Sequence, residues 1–242
     1  MKIIITKDYE ELSKQAFCVM IDVIRNKPDA VLGLATGSTP VGLYREMIKD
    51  HEANGTSYKA VRAVNLDEYV GLAPTNDQSY RYFMRTNLFD HIDILLENTH
   101  IENGIATDLS KECARYDALL RELPRDIQLL GIGANGHIAF NEPGTPFDST
   151  THVVDLTENT ILMNARFFEH ESDVPRRALT MGPKSITEAK KILILAVGAN
   201  KAEAVKGMVE GKVTPDLPAS ILQRHPDCTL IADEAAASLL KK

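Results

Sequence analysis

The chain has 242 residues, 44% apolar and 25% charged, enough apolar side chain for a large core in one domain spanning 1–242. A net charge of −7 and a pI near 5.5 exclude a nonspecific nucleic-acid binder, which needs a basic surface. Three scattered cysteines, Cys18, Cys113 and Cys228, lack pairing or metal spacing, and no apolar run is long enough to cross a bilayer, so a cytoplasmic protein with no membrane anchor and no metal is expected.

Strand-like and helix-like patterns alternate along the chain. Lys2–Thr6 reads as a strand, and Glu10–Arg25 carries Leu12, Ala16, Met20 and Val23 at helical spacing. Ala30–Ala35 is an apolar strand, followed by a turn and a helix from Pro40, with Thr39 as its expected N-cap. Further strands are predicted over Ala60–Leu66, Ile127–Gly131, Lys191–Val197 and Thr229–Ala232. Helices are predicted over Leu109–Leu123, Lys201–Glu210 and Glu234–Leu240. Strands apolar throughout are buried on both faces, which implies a mostly parallel sheet in a three-layer α/β/α sandwich. Ligands of such sheets bind at the carboxyl ends of the strands.

The unusual residues follow the strands. Thr36-Gly37-Ser38-Thr39-Pro40 is either a plain capped helix start or a phosphate cradle of hydroxyls and free N–H groups. Asp67 and Glu68 end an apolar strand. If the strand continues they point to opposite faces, one to a site and the other to a structural partner. Gly131–Pro143 holds a G-x-G-x-x-G pattern with Asp155 downstream, but Pro143 stops the long helix that a dinucleotide site requires. The same loop presents Asn135, His137 and Glu142, a set able to hold and move a proton; taken alone, the histidine could equally make core hydrogen bonds. Lys201 opens a helix, where a cation is unfavourable unless an anion joins it, and Arg166 is a second candidate cation. No metal-ligand spacing, P-loop or nucleophile elbow is present.

These residues, with LGLATGSTPVGLY, VNLDEYVGL, SYRYFMRTNLFDHID, LLGIGANGHIAFNEPGTPF, NARFF, ALTMG and ANKAEAV, make the chain resemble the glucosamine-6-phosphate deaminase family across nearly its whole length. The resemblance implies a Rossmann-like sandwich and the conversion of glucosamine-6-phosphate and water to fructose-6-phosphate and ammonia, with no cofactor and no metal. It implies Asp67 as the carboxylate moving a proton between C2 and C1, and His137 as the ring-opening acid/base supported by Glu142 and Asn135. Thr36, Gly37, Ser38, Thr39, Arg166 and Lys201 would bind the phosphate, and residues 152–181 would form a lid. Many members carry aspartate where this chain has Asn135, whose amide holds an imidazole without charge. Allosterically activated members are longer and place basic residues where this chain has His152 and Val154, so a short, non-allosteric type, a monomer, is expected. The partner implied is a small amino-sugar phosphate, not nucleic acid or membrane. A related lactonase would need no C2 base, and a noncatalytic sugar-phosphate sensor would carry an added DNA-binding segment.

Overall fold

The computed structural model describes residues 1–158, 161–162, 168, 170 and 173–241. In chain order its elements are β1 (Lys2–Thr6), α1 (Tyr9–Asn26), β2 (Val31–Leu34), α2 (Val41–Asn54), β3 (Arg62–Asn65), β4 (Asp67–Tyr69) and α3 (Tyr80–Asn87). Then come β5 (Thr99–His100), α4 (Leu109–Glu122), β6 (Ile127–Gly131), β7 (His152–Asp155) and β8 (Arg177–Thr180). The chain closes with α5 (Pro183–Thr187), β9 (Ile192–Ala196), α6 (Ala202–Glu210) and β10 (Cys228–Asp233).

Seven strands form one parallel sheet in the order β1-β10-β9-β6-β2-β3-β5, flanked by helices. Its centre is apolar: every residue of Ile192–Ala196 is buried, which requires cover on both faces. Three helices start where side chains satisfy their free N–H groups. Asp8 accepts from the Glu11 N–H at 2.8 Å before α1, Ser79 from Tyr82 before α3, and Asp108 from Lys111 before α4.

The connections decide where a ligand can sit. From β2 the chain moves to β3 on one side, whereas from β6 it returns through β9 on the other. Neighbouring strands β2 and β6 therefore send their loops apart, opening a crevice at their carboxyl ends. The loops carrying Thr36–Thr39 and His137 leave from this crevice, and the turn before Lys201 leaves from β9 beside it.

Several expectations are corrected. Thr39 does not cap α2; the helix begins at Val41 after Pro40, with no side-chain cap. The Tyr9 hydroxyl takes over, accepting from the Gly42 N–H at 2.7 Å and reaching the Ser38 and Thr39 carbonyls. The closing segment 234–240 forms turns rather than a helix. Asp67 and Glu68 do not prolong β3. They open β4, part of a second, antiparallel sheet ordered β4-β8-β7.

That small sheet joins the first to the glycine-rich loop. The Met181 N–H donates to the Leu66 carbonyl at 2.7 Å, one residue before Asp67. Thr180, opposite Asp67 in register, accepts the Phe140 N–H through its hydroxyl at 3.2 Å. The fully buried Asn141 amide donates to Ile138 and Met181 carbonyls at 2.9 and 2.8 Å. Asn141→Ala should therefore cost about 1–3 kcal/mol, seen as a lower urea midpoint at unchanged m-value. An unaltered midpoint would show that the amide does not hold the loop.

Candidate active site

A proton-holding chain runs through the loop after β6. The Asn135 amide NH₂ donates to Glu142 Oε2 at 2.6 Å, which turns its oxygen toward His137 Nδ1 at 2.7 Å. An amide oxygen only accepts, so Nδ1 carries the hydrogen and Nε2 is left to exchange a proton with a ligand. Glu142 Oε1 also lies 3.5 Å from Nδ1. The loop is shaped for this arrangement: at Gly133 a Cβ would fall 2.3 Å from the imidazole, and Gly136 turns at φ +84°. Burial lowers the proton affinity of His137, Glu142 opposes that, and the Lys201 cation lowers it further. The imidazole is therefore neutral at pH 7.

Asp67 and Glu68 are both buried, with opposite fates. Glu68 accepts three backbone N–H groups, from Tyr69, Tyr80 and Arg81, at 2.8, 2.9 and 3.0 Å. It anchors α3, the structural role left open for one of the pair. Asp67 is 7% exposed, and among the described residues no group donates a hydrogen bond to its carboxyl. Burial, then the Glu68 carboxyl beside it, push Asp67 up to about 8. A proton-hungry carboxyl held out of water suits a base that removes a carbon-bound proton. Behind it Glu102, 2% exposed, meets no donor from another of the described residues, only its own backbone N–H, and burial with Asp67 nearby raises it well above the carboxylate range.

The turns on the two flanks of β6 present polar groups outward. Gly37 adopts φ +90°, and among the described residues the Thr36, Ser38 and Thr39 hydroxyls make no hydrogen bond. They stand free for a ligand, on backbone fixed by Tyr9. Across β6, Gly198 at φ +93° is clamped by both oxygens of Asp233, placing Lys201 in the turn before α6. Lys201 is half-buried, its proton affinity lowered by that burial, and no carboxylate among the described residues pairs with it. Arg166 lies outside the described residues.

Sequence reading missed the wall beside Asp67. Tyr80 stacks on Phe140 at 6.2 Å with ring planes 4° apart, Tyr69 packs on Tyr80 at 4.8 Å, and Phe168 meets Tyr69 edge-on at 6.4 Å. No periodic signal marks these aromatics, because they come from four separate segments. Cavities of about 490 and 350 Å³ lie beside Thr107–Arg115 and behind Glu68, and neither includes Asp67 or His137. Among the described residues, no group of three or more histidine, cysteine or carboxylate side chains could hold a metal.

A family profile described as glucosamine-6-phosphate isomerases/6-phosphogluconolactonase matches residues 8–231. The chain belongs to this family. It is 53% identical over 242 residues, all of both chains, to a glucosamine-6-phosphate deaminase of Clostridium perfringens. To that of a Geobacillus species it is 52% identical, covering 99% of this chain and 96% of the other. The solved structure of a monomeric glucosamine-6-phosphate deaminase superposes at TM-score 0.96 with 50% identity, covering 99% of this chain and 100% of that one. A 6-phosphogluconolactonase from Trypanosoma cruzi superposes at TM-score 0.80 with 20% identity, covering 100% and 97%, which shows the shared fold.

The raised Asp67 carboxyl has a consequence for stability. Its value of about 8 lies above the ordinary 3.8, so its burial costs nothing below pH 3.8 and progressively more as pH climbs toward 8. Asp67→Asn should stabilise the fold, with a gain larger at pH 8.5 than at pH 5 in paired thermal melts. A gain independent of pH would contradict the desolvated carboxyl.

Proposed function

We propose that this chain converts glucosamine-6-phosphate and water to fructose-6-phosphate and ammonia. The observation that carries the reading is the buried Asp67 carboxyl, given no donor among the described residues and tied through Thr180 and Met181 to the His137–Asn135–Glu142 loop. A lactone hydrolase has no use for a base at C2. Identity of 53% along the full length to a protein named for the deaminase reaction supports the same choice.

The groups suggest a sequence of steps. Thr36–Thr39, Lys201 and Arg166 hold the phosphate. His137, through Nε2, passes a proton between O1 and the ring oxygen, which opens the sugar. The open aldehyde acidifies C2–H, and the Asp67 carboxylate removes that proton while O1 gains one, giving the C1–C2 enolamine. Asp67 returns its proton to C1, leaving a C2 iminium. Water adds to C2, ammonia departs and the ketone remains. Every step is proton transfer or hydrolysis, which the named side chains and water supply.

Residues 152–181 act as a lid in this reading, rooted in β7 and β8 and touching the aromatic wall at Phe168. The protein works as a monomer in the cytoplasm, without an activator. His152 is already committed to the Thr150 carbonyl at 2.8 Å, and neither it nor Val154 supplies a fixed cation for an activator's phosphate. The solved relative described as monomeric supports the oligomeric state.

An ammonia-release assay tests the proposal. Glucosamine-6-phosphate should yield ammonia and fructose-6-phosphate in equal amounts, with or without chelator. Its hyperbolic kinetics should be unmoved by N-acetylglucosamine-6-phosphate. Asp67→Asn should bind the sugar phosphate but turn over ~10²–10⁴-fold more slowly. Near-normal ammonia release by a folded Asp67→Asn variant would overturn the assignment.

A further inference from the structure

Lys201 and His137 leave the sheet side by side. Their parent strands β9 and β6 are neighbours, with Leu195 opposite Gly131. Beyond the strands, one side chain wedges both elements: a Cβ at Gly136 would lie 2.7 Å from Leu217, and one at Gly207 of α6 3.2 Å from it. The Ala219 N–H donates to the Gly136 carbonyl at 2.9 Å, and the Gly144 N–H to Pro215 at 2.9 Å, which fastens the loop to the same segment. The backbones that carry Lys201 and His137 are thus held to each other by packing.

Among the described residues two charged groups act on the imidazole. Glu142, on the same loop, favours its protonation, and Lys201, from the turn after β9, opposes it. Asn135, which touches Nδ1, is neutral. The balance of charge at His137 therefore rests on one carboxylate and one lysine, and that lysine has no carboxylate partner among the described residues.

We infer that Lys201 links substrate recognition to ring opening: a phosphate monoester dianion paired with Lys201 cancels the lysine's field at His137, so the imidazole binds its proton more tightly once substrate is seated. The inference rests on the reading of Lys201 as a phosphate ligand. It assigns the lysine a second task, as a positioning residue that acts on the histidine through its charge. In the free protein burial and the Lys201 charge both favour the neutral imidazole. With phosphate bound, Glu142 acts against burial without the opposing lysine charge, and the imidazole holds a proton more readily for transfer to the ring oxygen.

Sulfate is the probe, because it is a tetrahedral dianion that does not itself titrate near neutrality. The full chain, labelled in its imidazoles, is titrated by NMR with and without sulfate, and His137 is assigned by the signal lost in His137→Gln. Saturating sulfate should raise the His137 midpoint by about 0.5 pH unit or more, the size of one nearby charge in a partly buried site. Lys201→Gln should raise the midpoint of the free protein in the same direction and blunt the response to the same sulfate concentration. Lys201→Arg, which keeps the charge, should behave like the parent chain. Sulfate that perturbs the amides of the Lys201 turn while leaving the His137 midpoint unmoved would overturn the coupling and spare the phosphate reading. An unchanged midpoint in Lys201→Gln would do the same. Sulfate that never touches the turn would overturn both, while the ammonia-release assay would still judge the reaction itself.

Discussion

A buried carboxylate given no hydrogen-bond donor is expensive to ionise, and among the described residues Asp67 is in that position. Asp67 and Glu68 are adjacent, both buried and of the same chemistry. Glu68 is satisfied three times over by backbone N–H groups and becomes an anchor. Asp67 is offered none by the described residues and keeps a strong affinity for protons. The strain of holding that group is the kind of local cost found at sites that do chemistry.

The rest of the fold keeps Asp67 in register with its partners. A parallel sheet covered on both faces gives a rigid row of strand ends, and reversed connections at β2 and β6 leave room between the loops. The small antiparallel sheet then sets Asp67 against the loop of His137. Thr180 is at once the register partner of Asp67 and the hydrogen-bond acceptor for the loop that carries His137. A shift of either loop would move the other.

The large sheet was legible because strands such as Ile192–Ala196 are apolar at every position. The chemistry-bearing loops were legible because glycine, asparagine, histidine and carboxylates are poor strand and helix formers yet crowd the strand ends. Asn135, His137 and Glu142 come together as the sequence suggested. Other features were hidden for physical reasons. β4, β7 and β8 are only three or four residues long, too short for a period to register, and their pairing is set by contacts distant in sequence. Tyr9 takes over the place expected for Thr39 because its hydroxyl arrives from another helix, which no local capping rule detects. The aromatic wall has the same origin, since Tyr69, Tyr80, Phe140 and Phe168 meet only in the fold.

The central claim is that a single desolvated carboxyl carries the proton from C2 to C1. Single turnover of glucosamine-6-phosphate deuterated at C2, followed by analysis of C1 of the product, tests it most directly. A base shielded from water, as Asp67 is at 7% exposure, should deliver part of the original deuterium to C1. Product with C1 hydrogen drawn wholly from solvent, even in the first turnover, would contradict a sheltered Asp67 as the carrier.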